Sequence, residues 1–192
     1  MWLQRALLLS LLVGCAGTNM QSRSAGYVRL QVQTVGLQSA DWQALAPGGV
    51  LTSGSQFAVS VTVPSPLYLS LWQRGSDGNT AQLYPAPVEI ATAGGAAVPA
   101  EPNHATHLPS PGKWFALDEH TGEERLFVLA TVQKLDQEAA RKLVSDRGEP
   151  SCEKSREPPP EVKERDRGEL VISPLAKDGI ALLCFPFSHR SR

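Results

Sequence analysis

The chain has 192 residues, enough for one domain with a substantial core and flexible ends. Its 18 basic and 19 acidic residues give a net charge of −1, which supplies no long-range field for attracting nucleic acid. No run of apolar residues approaches the ~20 needed to cross a bilayer as a helix. The 16 glycines and 15 prolines indicate many turns and favour a mainly β fold.

The first 15 residues have the features of an export signal. A single basic side chain, Arg5, precedes the apolar stretch 6–13, which is long enough for a signal peptide and too short to span a membrane. The stretch leads into Leu12-Val13-Gly14-Cys15, which resembles the lipobox of bacterial lipoproteins. The resemblance implies that residues 1–14 are a lipoprotein signal peptide and that Cys15 is lipidated. More than one acyl chain, palmitate among them, would make the membrane attachment stable.

The alternative for this segment is an ordinary buried hydrophobic N-terminus with an incidental cysteine. The charge, the apolar length and the small residue before Cys15 all favour the lipoprotein. Ala16 follows Cys15, and the absence of Asp at that position favours the outer membrane, facing the periplasm. Residues 15–26 are small and polar, as expected of a flexible tether, and residues 27–192 are predicted to form a single β-domain.

Alternating apolar side chains predict the first strands of this domain. The alternation covers 28–35 and 57–63, and residues 36–53 between them are predicted to be a loop. It resumes at 67–71 after Pro64 and Pro66, and Asp77-Gly78 then supports a turn into a return strand at 80–84. We predict that the strands from 57 to 84 form a β-meander around which the rest of the chain is organised.

The same stretch resembles a known bacterial family, the "domain of unknown function 4384". The residues that carry the resemblance, in chain order, are Gly54 and Phe57, Leu67-Tyr68-Leu69, Asp77-Gly78, Leu83-Tyr84-Pro85, Leu108-Pro109, Trp114-Phe115, Leu117, Gly122, Glu124, Leu126, Val128 and Ala130-Thr131. The resemblance covers about residues 48–132. It implies a mostly β domain found in envelope or signalling proteins, with no established activity and no catalytic residues to carry over.

Two clusters in the second half invite a functional interpretation. Residues 85–112 are predicted to be a long, Pro-broken connection with one or two short edge strands. Glu101, His104 and His107 within it have spacings that suggest a metal site, but such a connection does not fix the rings on one face, which favours a solvated loop and no metal. Residues 118–120, Asp-Glu-His, could act as acid and base, but a charged hairpin tip is usually only solvated. We predict a hairpin of 114–117 with 124–132, whose apolar run is typical of a central strand beside 67–72.

The last third predicts one helix, a flexible insertion and a closing hairpin. Apolar residues at helical intervals predict a short helix near 136–146, ended by Gly148 and Pro150. The charged, Pro-rich tract at about 147–169 is predicted to be a disordered insertion, and 169–172 with 180–187 to be a β-hairpin. Cys152 and Cys184 either form a disulfide or remain one buried and one exposed thiol, and the sequence leaves both alternatives open.

The fold expectation is an antiparallel β-sandwich-like single domain with one short helix. No element carries a nucleophile with a base, and no cofactor-binding motif is present, so we expect no enzymatic activity. The function expected is that of a lipid-anchored cell-envelope protein whose β-rich module binds an unknown envelope protein or polymer. The alternatives are an envelope hydrolase and a purely structural envelope lipoprotein.

Overall fold

Apolar alternation along the chain produces strands over most of its length. The computed structural model describes residues 26–35, 42–86, 98–154 and 170–192. In chain order the described elements are β1 (Tyr27–Val35), β2 (Trp42–Leu45), β3 (Val50–Thr52), β4 (Gln56–Thr62), β5 (Tyr68–Arg74), β6 (Thr80–Tyr84), β7 (Ala105–Leu108), β8 (Phe115–Ala116), β9 (Gly122–Thr131), α1 (Gln137–Lys154), β10 (Leu170–Pro174) and β11 (Ile180–Arg190). Within these ranges no helix has the length and apolar character to cross a membrane. The predicted signal peptide, Cys15 and nearly all of the tether lie outside the described residues.

The first sheet is built on the antiparallel pair β1 and β4. β10 and β2 pair with successive halves of β1, and β7 and β8 pair with successive parts of β4 on its other edge. The second sheet has the order β3-β11-β9-β5-β6, in which β3 runs parallel to β11 and every other pair is antiparallel. The prediction that the strand after Gly122 is central and lies beside 67–72 is confirmed.

The two sheets face each other across one hydrophobic core. Every second residue of β1 and β4 points inward, and β5, β9 and β11 supply the facing side chains. Phe57 on β4 contacts Phe187 on β11 with ring centroids 6.5 Å apart, so this aromatic pair joins the two sheets directly. The fold is therefore a mainly antiparallel β-sandwich in a single small domain, as the sequence predicts.

Three predicted strand pairings are wrong, and all for the same reason. The predicted meander divides: β4 lies in the first sheet, and β5 and β6 lie in the second. Likewise β8 pairs with β4 and not with β9, and β10 pairs with β1 and not with β11. The period of two that identifies a strand does not say which sheet it joins. Between β4 and β5, Pro64 and Pro66 lack the N–H groups that would continue the ladder, so the chain crosses to the other sheet there.

Other differences concern the loops. Residues 36–53, predicted to be a loop, contain β2 and β3, two short strands at sheet edges. By contrast, the long connection 85–112 was predicted to hold one or two short edge strands and contributes one, β7, to the first sheet; its central part, 87–97, lies outside the described residues. Short edge strands make few side-chain contacts, so their sequences carry little alternation to detect.

The helix is longer than predicted. Asp136 is its N-cap and accepts a hydrogen bond from the Ala139 N–H at 2.7 Å, but α1 continues through Gly148 and Pro150 to Lys154. A Cβ added at Gly148 would lie 3.0 Å from the ring of Phe127, so this glycine lets the helix approach the sheet. Residues 147–154 are thus helical where a disordered insertion was predicted, and the rest of that insertion, 155–169, lies outside the described residues.

α1 covers the outer face of the second sheet and forms a third layer. Its Ala140 and Val144 pack on Trp72, Phe127 and Leu129, which alternate with the inward-facing residues of the same strands. Glu149 near the end of α1 forms ion pairs with Arg74, at 2.9 Å, and with Arg125, at 3.3 Å. The helix therefore closes a sheet face that would otherwise expose the large side chains of Trp72 and Phe127.

Candidate functional site

Polar side chains replace apolar ones at one end of the sandwich interior. Along β9 the inward positions that hold Leu126 and Val128 continue to Glu124, and along β11 the inward row of phenylalanines continues to His189. On β5, Gln73 follows Leu69 and Leu71 in the inward row and is paired with Leu126. Glu124 and His189 are only 3% and 2% exposed. The period of two therefore places two titratable groups inside the fold, where each needs a partner.

These side chains form a continuous hydrogen-bonded chain. The Nδ1 of His189 lies 2.7 Å from Oε1 of Glu124, and the Nε2 of Gln73 donates to the other carboxylate oxygen of Glu124. The Nε2 of His189 lies 3.1 Å from Oγ of Ser53. An ionised carboxylate can only accept, so Nδ1 carries a proton toward Glu124. In the neutral imidazole Nε2 is then an acceptor for the Ser53 hydroxyl, whose oxygen also lies 3.4 Å from a second acceptor, the Arg190 carbonyl.

Ser53 is positioned by the tight turn that follows β3. Gly54 has φ of 77°, which favours glycine, and the Ser55 N–H closes the turn on the Thr52 carbonyl at 2.8 Å. Because β3 runs alongside Ser188 to Arg190 of β11, the Ser53 N–H reaches the Arg190 carbonyl at 2.9 Å. The turn thereby holds the serine hydroxyl beside His189.

The hydrogen-bonded chain ends at a surface pocket of about 530 Å³. Its lining residues are Ser53, Gly54, Leu117, Asp118, Glu119, Ser191 and Arg192. The Nε of Arg192 donates to the Ser53 carbonyl at 2.8 Å, which holds the guanidinium across the wall of the pocket. Ser53 thus stands between the pocket and the buried Glu124–His189 pair, which makes these residues the first candidate site. We call it the Ser53 pocket.

A second concavity of about 260 Å³ lies where the start of α1 meets β5 and β6. It is lined by Tyr68, Leu69, Ser70, Gln82, Pro85, Ala86, Leu129, Thr131, Lys134, Leu135, Asp136, Gln137 and Ala140. Leu129, Leu135 and Ala140 belong to the cluster beneath the helix, whereas Lys134 and Gln137 are exposed. An apolar floor with polar groups around it is the usual form of a binding cleft. We call it the helix cleft.

Glu101, His104 and His107, for which no metal was predicted, lie at the surface. His107 lies on β7 with its side chain exposed, and His104 is an exposed neighbour of Glu101, 3.7 Å from Nδ1 to Oε2. Among the described residues no group of three His, Cys, Asp or Glu side chains could hold a metal ion.

Asp118 and His120 form an exposed pair next to the Ser53 pocket. Asp118 accepts hydrogen bonds from the His120 backbone N–H at 2.9 Å and from the ring at 3.0 Å. These bonds hold the pKa of Asp118 below its usual value. The bond to Asp118 and the charge of its carboxylate raise the pKa of His120. Glu119 between them lines the pocket, so the predicted acid and base candidates lie beside the site but outside its hydrogen-bonded chain.

Of the predicted cysteine sites, Cys15 lies outside the described residues. Cys152 on α1 and Cys184 on β11 are joined by a disulfide, with Cα atoms 4.7 Å apart. The bond links the last turn of the helix to the outer face of the second sheet. Both cysteines are buried in the cluster under α1, so the disulfide is part of the packing and not of either concavity.

The sequence did not identify Ser53, Glu124 or His189 as residues of a functional site. Glu124 and His189 are 65 residues apart, and Ser53 and His189 are 136 apart, so no local spacing joins them. A signal was present in the alternation: Glu124 is in phase with Leu126 and Val128. A charged residue in phase with a buried row predicts a buried polar group that requires a partner.

The two packed sheets and their covering helix define the chain as a β-sandwich protein. Residues 50–134 match the family model described as "Domain of unknown function (DUF4384)", which confirms the resemblance seen in the sequence. Neither a curated protein nor a solved structure matches the chain. Ser53, Gln73 and Glu124 lie within the matched stretch, whereas His189 is supplied by β11 outside it.

Proposed function

We propose that the protein is a lipid-anchored component of the bacterial cell envelope whose β-sandwich binds another envelope protein. Anchoring through Cys15 is supported by the apolar stretch 6–13 and by Leu12-Val13-Gly14-Cys15, and the residue after Cys15 favours the outer membrane, facing the periplasm. A tether over residues 15–26 would hold the domain a short distance from the bilayer.

The observation that carries the binding proposal is the helix cleft. Side chains from β5, β6, β9 and the start of α1, with those of the segments next to them, surround a volume of about 260 Å³. The Oγ of Ser70 accepts a hydrogen bond from Nε1 of Trp72 at 2.9 Å, which holds this serine in place. Asp136 is held by its capping bond to α1. The polar groups of the cleft are thus fixed before a ligand arrives, which lowers the entropy lost on binding.

The position of β6 suggests what kind of segment the helix cleft accepts. β6 is the last strand of the second sheet in the described part of the chain, and Gln82 in its middle lines the cleft. An extended peptide adding to such an edge would gain backbone hydrogen bonds and place alternate side chains in the cleft. An extended segment of an envelope protein therefore fits better than a rigid globular surface.

Site-specific photo-crosslinking in cells tests the binding proposal. A photoreactive benzoylphenylalanine replaces Gln137 in the full chain, and Lys142 on the same helix is the control position because it is exposed and does not line the cleft. We expect a discrete protein adduct from position 137 only, which mass spectrometry would identify. Equal adducts from both positions, or none from position 137, contradict a protein ligand in the cleft. Polysaccharide on the position-137 product would indicate an envelope polymer instead.

Anchoring is tested separately by metabolic labelling with a palmitate analogue. We expect the wild-type chain to take up label and to sediment with membranes, and Cys15→Ala to lose both properties. A Cys15→Ala chain that still carries the label and stays with the membranes rules out the lipid anchor.

A further inference from the structure

The Ser53 pocket has an arrangement that a binding module does not need. Its serine hydroxyl lies 3.1 Å from an imidazole nitrogen, and the other nitrogen of that ring lies 2.7 Å from a carboxylate. A serine, a histidine and an acid in this sequence of contacts are the parts of an activated nucleophile on many unrelated folds. We propose that Ser53 is the nucleophile of a hydrolase for small carboxylic esters, with His189 as its base. This site is separate from the helix cleft, and the proposal departs from the expectation that the chain has no enzymatic activity.

The geometry assigns a role to each of the four hydrogen-bonded side chains. Nε2 of His189 faces the serine and is within reach to take its proton. Glu124 fixes the ring through Nδ1 and would stabilise the imidazolium that forms, and Gln73 in turn fixes Glu124. Glu124 and Gln73 are positioning residues because they touch neither the pocket nor a substrate. The pair behind the serine is shielded from water, which strengthens its electrostatic coupling.

Solvent access to the Ser53 hydroxyl distinguishes this arrangement from a purely structural network. Ser53 is only partly buried and lines the pocket, whereas His189 and Glu124 do not line it. The chain of hydrogen bonds therefore meets solvent at the one group that would attack a substrate. A network serving stability alone would gain nothing by ending in a hydroxyl on the wall of a pocket of about 530 Å³.

The negative charge that develops on the carbonyl oxygen needs a donor. The backbone N–H groups of Ser53, Gly54 and Ser55 already donate to carbonyls of the chain, so they form no oxyanion hole in this conformation. The available donor is the guanidinium of Arg192. Within the described residues only its Nε has a partner, the Ser53 carbonyl, and a Cβ added at Gly54 would overlap one of its terminal nitrogens. The glycine thus leaves room for the guanidinium beside the nucleophile.

The reaction is an acyl transfer in two balanced steps. The Oγ of Ser53 bonds to the ester carbonyl carbon as its proton moves to Nε2 of His189, and the carbonyl electron pair moves to the oxygen near Arg192. Collapse breaks the bond to the alkoxy group, which leaves as the alcohol with the proton from Nε2. Water then repeats the sequence on the acyl-serine, releases the carboxylic acid and restores Ser53 and neutral His189.

The pocket lining indicates the class of ester. Leu117 is its one large apolar side chain, so the pocket offers little apolar wall for a long aliphatic acyl group and favours a small one. Asp118 and Glu119 add two carboxylates to the same lining, and these disfavour an anionic substituent on the substrate.

The test uses the full chain in detergent micelles with two probes, an alkyl fluorophosphonate and p-nitrophenyl acetate. We expect the fluorophosphonate to modify the peptide that contains Ser53 and the protein to hydrolyse the ester. Ser53→Ala should abolish both, whereas Ser145→Ala is the control because Ser145 is an exposed serine on α1 that does not line the pocket. Arg192→Ala should lower the hydrolysis rate by about 10²-fold, the usual effect of losing one oxyanion donor.

Glu124→Gln separates positioning from folding. The amide keeps the side-chain shape but has a single acceptor oxygen for the two donors, Gln73 and His189, so we expect kcat to fall while KM and the unfolding temperature of the full chain change little. Thermal unfolding of each variant identifies any that fail to fold, and Arg192→Ala, at the exposed surface, gives a result independent of them. A wild-type chain that neither takes up the fluorophosphonate at Ser53 nor hydrolyses the ester faster than Ser53→Ala overturns the proposal.

Discussion

The second sheet has two covered faces, and they are stabilised in different ways. Its inner face packs on the first sheet through a cluster drawn from nearly every strand of the fold. Its outer face packs on α1 through a smaller cluster that includes the Cys152–Cys184 disulfide. The same strand serves both, since Leu126 and Val128 of β9 point inward and Phe127 and Leu129 point outward. The inner layer relies on burial of apolar area, and the outer layer adds a covalent link to a smaller burial.

The largest expected effect concerns the inner layer. Phe57 is fully buried, and its ring lies 5.3 Å from that of Phe115 and 6.5 Å from that of Phe187. Phe57→Ala should lower the free energy of unfolding by roughly 3–5 kcal/mol, because it removes a buried ring and leaves a cavity between the sheets. Guanidinium denaturation measures this. Trp114→Ala, an exposed aromatic at 48% accessibility, is the control and should change stability by less than about 0.5 kcal/mol. Equal effects would mean that the inter-sheet core is not the main source of stability.

The second prediction concerns the covalent link of the outer layer. The disulfide joins residues 32 apart in sequence, and the chain-entropy relation gives roughly 3–4 kcal/mol for closing a loop of that size. A Cys152→Ala/Cys184→Ala double variant should therefore unfold at a lower denaturant concentration than the oxidised wild type. Reductant should destabilise the wild type by a similar amount and leave the double variant unaffected. If reductant has no effect on the wild type, the outer layer is held by packing alone.

Strand existence could be predicted from the sequence far better than strand partners. The alternation in β1 and β4 is strong because one face of each strand is buried, and the apolar run in β9 is continuous because both of its faces are. Partners depend on which sheet the chain enters after each turn, and nothing local distinguishes a hairpin from a crossing between sheets. That is why Gln56–Thr62 and Tyr68–Arg74, adjacent in sequence, were predicted to pair but belong to different sheets.

The helix end and the Ser53 pocket show where local rules fail. Gly148 and Pro150 are helix-ending residues by intrinsic preference, yet packing on Phe127 and the disulfide keep the helix intact to Lys154. The hydrogen-bonded side chains behind the Ser53 pocket come from a turn and three strands that are distant in sequence. The buried ones among them could be suspected from their phase, but their partners could be known only from the topology.

The third prediction examines the contact between α1 and the outer face. Gly148→Ala would favour the helix intrinsically, but its new methyl would lie 3.0 Å from the ring of Phe127. That ring is fully buried and has the guanidinium of Arg74 5.2 Å from its centroid, so it has little room to move. We expect a net destabilisation of about 1–2 kcal/mol by chemical denaturation, as for other overpacked sites. Ser145→Ala, exposed on the same helix, should be neutral or slightly stabilising. A stabilised Gly148→Ala would show that the outer layer is loosely packed.

The smallest expected effect concerns the exposed pair Asp118–His120, which unlike the pair Glu124–His189 lies in solvent. The exposed pair has side chains 68% and 90% accessible and a distance of 3.0 Å. The hydrogen bond and charge of Asp118 raise the pKa of His120 above its ordinary value of about 6.5, and bonds from His120 lower the pKa of Asp118. For the histidine, the contribution of this attraction to folding stability is fully present at pH values below its unfolded-state pKa, and it is lost as the pH rises through the raised pKa. For the aspartate, it is complete above the unfolded-state pKa of about 3.9 and is lost as pH falls through the lowered one. Both contributions are therefore present between about pH 4 and 6.5.

NMR titration of the His120 ring should accordingly give a pKa above that of an unpaired histidine, and Asp118→Asn should return it toward about 6.5. The unfolding midpoint should not change measurably with Asp118→Asn, because solvent screens an exposed pair. His120→Ala should be equally mild. A substantial loss of stability in either variant would mean that the pair next to the Ser53 pocket helps to hold the turn that carries it, and the two pairs would then have to be treated as one coupled network.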